Sequence, residues 1–242
     1  MFGIGFPELI VLAVVVFIMI GLALRVRSGV ARSKVRLQHP LSHEALIANV
    51  RRQHPRFREA LIADALITLA YRSERYELRS RFDKLCQILR LMWVSDAFFA
   101  QACYRAKARL QALRVPVLPM IFHRLAMITS QVSIGSPVVV QPGIYITHGQ
   151  VVVDGFVRIE HGVVLNPWVT VGLRAGEIIK GPTIQQDVHI GTGAKVFGSI
   201  TIGAGARIGA NAVVIADVPP GVTVVGVPAR QVPRLEGFNT NE

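Results

Sequence analysis

Thr183 to Val214 reads TIQQDVHIGTGAKVFGSITIGAGARIGANAVV, and its aliphatic residues Ile184, Ile190, Val196, Ile202, Ile208 and Val214 stand at every sixth position without a break. Small residues follow them, as in IGTGAK, IGAGAR and IGANAV. A helix repeats its apolar face every 3.6 residues and a simple strand every second one. A period of six, with one inward aliphatic and a tight turn of Gly, Ala, Asn or Asp, belongs to a parallel β-helix. Each hexapeptide supplies one flat face, three faces close a coil, and the stacked aliphatics form the core. The same spacing extends backwards through Val171, Leu165, Ile159 and Val153, slips by one residue, and continues through Ile146, Val140 and Ile134. One longer interval separates Val171 from Ile184. The fold class is therefore mainly β, with the β-helix over residues 131–234 and a short tail over 235–242.

The region before it reads differently. Residues 41 to 129 carry helical patterning, with Pro55 as a break, Phe57, Leu61, Ala65 and Leu69 at every fourth position, and Leu85, Ile88, Leu89 and Met92 as a second apolar face. Ser95 precedes Asp96 as an N-cap, and Pro116 and Pro119 interrupt the next helix. These stripes are core or subunit contacts and receive no chemistry. Between Arg25 and Ser130 stand 20 Lys/Arg against 7 Asp/Glu, whereas the remainder from Gln131 is balanced at 7 against 7. The basic surplus defines a helical domain over 25–130. Cys86 and Cys103, the only cysteines, form no CxxC pair and no Cys/His cluster, so both are read as small core residues in a reducing compartment.

Residues 2 to 24, FGIGFPELIVLAVVVFIMIGLAL, contain a single carboxylate, Glu8. At 1.5 Å rise per residue such a run is long enough for a hydrocarbon core of about 30 Å. No Lys or Arg precedes it, as a signal peptide would require, and Arg25, Arg27, Arg32, Lys34 and Arg36 follow. A transmembrane anchor over 1–24 is expected. The location that follows is a bacterial-type inner (plasma) membrane, single-pass, with the bulk of the chain on the cytoplasmic side and its basic segment on an anionic membrane surface. The opening MFGIGFPELIVLAVVVFIMIG also resembles the membrane helix of twin-arginine translocase A/B-type subunits, without their hinge and amphipathic helix.

From about Asp96 to Pro233 the chain resembles the hexapeptide acyltransferases, and among them the serine acetyltransferases. The residues that carry this are YRAKARLQALRVPVLPMIFHRLAMITSQVSIG, IYITHG, GPTIQQDVHIGTGAKVFGSITIGAGARIGANAV and the ending VIADVPPGVTVVGVPARQV. The resemblance implies a left-handed β-helix, a homotrimer or dimer of trimers, and acetyl-CoA as co-substrate in a groove between adjoining β-helices. It places the catalytic histidine at His148, in GIYITHGQVVVDG, with Gly149 leaving room beside the ring. An imidazole there takes the proton from an acceptor hydroxyl and returns it to the departing thiolate. For the co-substrate it implies Thr192, Ala194 and Ala210 along the pantetheine arm, with Lys195, Arg207 and Arg230 as cations for the phosphates.

The pattern is not complete. Fifteen residues before the histidine, where the family has an aspartate, stands Ser133; the acidic residue before the histidine is Thr147; and Lys180-Gly181-Pro182 lacks the family's second histidine. Ser133 is expected to hold the second ring nitrogen, and Glu177 is a replacement acid. The acceptor is L-serine or a similar small molecule, with a sugar or membrane-linked glycan hydroxyl as the alternative that an anchor would favour. A reading of another class is a non-catalytic, trimeric, membrane-tethered β-helix scaffold. His161 and His189 raise a trimeric zinc enzyme, but their spacings from His148 lack a close histidine pair, so no metal is expected. No motif supports nucleic-acid binding.

Overall fold

The computed structural model describes residues 43–74, 80–175 and 180–232. Five helices come first: α1 (His43–Gln53), α2 (Phe57–Tyr71), α3 (Arg81–Val94), α4 (Asp96–Ala112) and α5 (Leu118–Ser130). Pro55 separates α1 from α2 because its ring disfavours helical geometry in the residue before it. Ser80 Oγ accepts from Asp83 N at 3.0 Å and Ser95 Oγ from Phe98 N at 3.2 Å, so serine caps start α3 and α4. Ala65, Leu69, Leu91 and Phe98 make a small buried core with Ile88 and Met92 against it. Leu85 and Leu89 are instead exposed. Leu89 lies one residue, about 100° of helical rotation, from Ile88, so the two cannot share a narrow inward stripe. Cys103 is buried, but Cys86 is exposed, which corrects its assignment to the core.

Beyond Ser130 the chain coils into three parallel sheets. The first face stacks β1 (Ser133–Ile134), β4 (Val152–Val153), β7 (Thr170–Gly172), β10 (Lys195–Phe197) and β13 (Val213–Val214). The second stacks β2 (Val139–Val140), β5 (Arg158–Ile159), β8 (Thr183–Ile184) and β11 (Thr201–Ile202). The third stacks β3 (Tyr145–Ile146), β6 (Val164–Leu165), β9 (His189–Ile190), β12 (Arg207–Ile208) and β14 (Thr223–Val225), and ends with β15 (Arg230–Gln231), which turns back antiparallel on β14. In register, Ile146, Leu165, Ile190, Ile208 and Val224 form one inward column. Ile134, Val153, Val171, Val196 and Val214 form another, and Val140, Ile159, Ile184 and Ile202 a third, all buried. The sequence period marked these positions. A second inward set, two residues earlier at the corners and including Val138, Ile144, Val151, Val163, Val188 and Ala206, is also buried.

The first coil has no coil beneath it, so its outward-edge carbonyls lack strand partners. One face of α4 supplies them. Gln101 Nε2 donates to the Ile144 carbonyl at 3.2 Å, Tyr104 Oη to Val138 at 2.9 Å, and Lys107 Nζ to Ile134. Arg105 donates to the carbonyls of Val140 and Gln141. The same guanidinium meets Asp64 of α2 in a pair that is almost fully buried, at 2.8 and 3.1 Å. Asp64 Oδ1 accepts in turn from Gly143 N at 2.8 Å and Ile144 N at 3.3 Å. Helix side chains from Ala97 to Ala126 join the same hydrophobic core as the coils.

The membrane expectation is corrected. No helix among the described residues is long and apolar enough to cross a membrane, and residues 1–24, with their likeness to the twin-arginine translocase helix, lie outside those residues. An apolar run of sufficient length is necessary for a span but does not by itself establish one. The inner-membrane location and the anionic lipid surface are withdrawn.

Replacing Arg105 by Met leaves Asp64 buried without its cation, and breaking such a pair costs about 3–5 kcal/mol. Urea unfolding of this variant should show a loss of that size; a loss within the ~1 kcal/mol of a surface pair would refute the clamp. His54 gives a pH signature. Its imidazole is pushed down to about 4, first by burial and then by the charges of Arg105 and Lys107. An unfolded histidine binds its proton near 6.5, so between about 6.5 and 4 the unfolded chain holds more protons and stability falls as pH drops. Measured against His54→Gln, the wild type should lose relative stability across that interval; a constant difference contradicts it.

Candidate functional site

His148 follows β3 at the corner where the chain passes from the third face to the first. The step from Ile146 to Val153 is one residue longer than the hexapeptide steps around it. The backbone shows where the surplus goes. Along this corner Asn211 N donates to the Thr192 carbonyl and Gly193 N to Pro167, and in the next step down Trp168 N donates to Gln150. Gln150, at φ 67°, thus takes the regular corner position, and His148-Gly149 is the part displaced from it. His148 is exposed to solvent, and no described residue hydrogen-bonds to its ring. Thr147 fixes the near side, with Oγ1 3.0 Å from the Leu165 carbonyl and 2.9 Å from Asn166 Oδ1, while Asn166 Nδ2 donates to Ile190.

Gly149 has a different task from the one expected. A Cβ at this position would stand 1.9 Å from the Ser130 carbonyl, and the neighbouring Gln150 N donates to that same carbonyl at 3.0 Å. The space beside the glycine belongs to the end of α5, not to a substrate. Ser133 opens the first face beneath Val152, one strand spacing of about 4.8 Å away. No hydrogen bond joins its hydroxyl to His148 among the described residues. Glu177 lies outside them.

The other expected residues fall on and beside one column. Thr192 and Ala210 follow Ile190 and Ile208 at the same corner and are exposed, whereas Ala194 is fully buried and faces the core. Lys195 lies on the first face, but its Nζ donates to the Trp168 carbonyl at 2.6 Å, so this cation also braces the corner. Arg207 is exposed on the third face next to His189, whose pKa is lowered first by burial and then by that guanidinium. Arg230 lies on β15, in a cleft of about 510 Å³ that also includes Asp217, Val222 and Gln231. From β3 to β15 are five strand steps, about 24 Å. His148, Thr192 and Ala210 thus stand at successive levels of one corner, with Arg207 on the adjoining face and Arg230 at the last strand.

The chain has relatives among known proteins. The chain is 36% identical over 153 residues to a serine acetyltransferase of Synechococcus elongatus, covering 60% of this chain and 61% of that one. It is 36% identical over 140 residues to a serine acetyltransferase of Helicobacter pylori, covering 55% of this chain and 79% of that one. The chain belongs to the serine acetyltransferase family. No family model matches it. A solved serine acetyltransferase in complex with CoA aligns with a TM-score of 0.60 at 26% identity, over 77% of this chain and 74% of that one. The chain spans 61%, 49% and 55% of the length of the relatives from Synechococcus elongatus, Buchnera aphidicola and Bacillus subtilis.

Gly149→Ala tests how the loop is held. Forcing a methyl against a backbone carbonyl is overpacking, with a typical cost of about 1–3 kcal/mol. Chemical denaturation should show that loss, and unchanged stability would mean that the His148 loop is not seated on α5.

Proposed function

We propose that this member of the serine acetyltransferase family transfers the acetyl group of acetyl-CoA to the hydroxyl of L-serine or a similar small acceptor, with His148 as general base. The observation that carries the reading is the displaced corner residue: an exposed imidazole at one end of a column lined by Thr192 and Ala210 and flanked by Arg207 and Arg230. Likeness to a serine acetyltransferase solved with CoA supports a CoA thioester as the co-substrate. The coil is left-handed, and three copies close a groove between neighbouring β-helices, as the resemblance implies. Residues 131–234 carry the chemistry and residues 25–130 the support. A glycan acceptor rested on the membrane location and is not retained.

In this scheme His148 accepts the proton of the acceptor hydroxyl as its oxygen attacks the thioester carbonyl. Holding both substrates side by side makes a covalent enzyme intermediate unnecessary. The tetrahedral adduct collapses with cleavage of the carbon–sulfur bond, and the imidazolium returns the proton to the thiolate, releasing free CoA and the O-acetyl product. Ser133 acts as a positioning residue beneath the loop.

His148→Ala should lower the rate of CoA release with L-serine by about 10²–10⁴-fold. Acetyl-CoA should still raise the melting temperature of the variant, because binding to the native state alone stabilises it. Turnover that survives the substitution removes His148 from the mechanism. Absence of turnover by the wild type at high enzyme concentration favours the non-catalytic scaffold.

A further inference from the structure

A second cluster of cations lies away from the corner column, where the end of α1 and the start of α2 meet the last turns of α4. Arg51, His54, Arg56, Phe57, Arg105 and Arg109 surround an open cavity of about 520 Å³. An adjoining cleft shares Arg56, Phe57 and Arg109 and adds Arg58, Ile62 and one carboxylate, Glu59. Arg105 forms the floor and is already neutralised by Asp64. Arg56 leans on Glu59 at 3.3 Å in an exposed pair, which is worth little in water. Arg51 and Arg109 make no ion pair with any described residue. Guanidinium groups that converge on a concave wall and outnumber the carboxylates beside them create a positive potential that an oxyanion relieves, and each can donate two parallel N–H groups to it.

Two further features point the same way. His54 Nδ1 is buried and has no hydrogen-bond partner, an uncommon state for an interior polar atom. The first turn of α2 begins at this wall, and no side chain caps its free N–H groups. Phe57, Pro55 and Ala108 give the same cavity an apolar side. None of these groups takes part in acetyl transfer as proposed above.

We propose that the cavity between α1, α2 and α4 binds a small phosphate-bearing anion, inorganic phosphate or a phosphate monoester, through Arg51, Arg56 and Arg109. It is distinct from the track for CoA phosphates, which involves Arg207 and Arg230 at the far coils. Its floor residue, Arg105, is also the guanidinium that grips Asp64 and the first coil, so an occupant would sit behind the clamp that supports the His148 strand.

Calorimetric titration of the full chain with inorganic phosphate, against chloride at equal ionic strength, tests this. Phosphate should bind the wild type, and Arg51→Ala and Arg109→Ala should each raise its Kd at least tenfold, with unchanged circular dichroism. Arg207→Ala should leave the Kd within about twofold, a difference close to RT ln 2. Phosphate should also shift the ring ¹⁵N resonances of His54 in wild-type protein. Binding that survives both cavity substitutions, that is lost in Arg207→Ala instead, or that leaves the His54 ring unmoved overturns the proposal, as does a chloride effect of equal size.

Discussion

The unsatisfied lower edge of the first coil governs how this chain is put together. A parallel β-helix satisfies its backbone by stacking, which works everywhere except at the ends. Here the starting end is closed by side chains of a helix rather than by another strand: Gln101, Tyr104, Arg105 and Lys107 each donate to a carbonyl that a missing coil would have met. The Asp64–Arg105 pair aligns these donors, because the carboxylate also receives the amides of Gly143 and Ile144. Removing two charges from water is costly, and the arrangement is tolerable because nearly every lone pair and proton in it has a partner. The helices are consequently part of the same folding unit as the β-helix core.

That end closure lies under the site. Tyr145 and Ile146 continue from the residues that Asp64 grips, and His148 comes two residues later. From the other side, α5 delivers the Ser130 carbonyl to Gln150 N, which anchors the loop where it rejoins the first face. The imidazole is therefore held between two supports from the helical segment, one at each flank of its loop. Thr147 and Asn166 add a third tie to the coil above. The placement of the His148 backbone comes from these neighbours rather than from the hexapeptide repeat itself.

The repeat was fully legible in the sequence because one physical requirement, an inward aliphatic per strand, recurs at a fixed interval, and the observed columns contain the positions it marks. The resemblance singled out His148, and the structure adds that it falls in the corner with the one-residue slip before Val153. Much of the remainder was not. Gly149 reads as free space in a sequence, and only coordinates show the Ser130 carbonyl filling it. Asp64 and Arg105, separated by more than forty residues, look like ordinary surface charges on helical stripes, since a pattern read along one helix carries no information about a partner on another. The apolar run at the amino end reads as a span by length and lies outside the described residues.

The seven-residue step at the corner also bears on how such an architecture can change. In a prism whose walls repeat so regularly, surplus length has nowhere to go but outward. A single inserted residue therefore marks a level at which the chain stands outside the lattice, while the inward columns above and below it keep their register. The irregular corner and the regular interior are in this way compatible, because the extra length is taken up where the wall turns and not where the aliphatics stack.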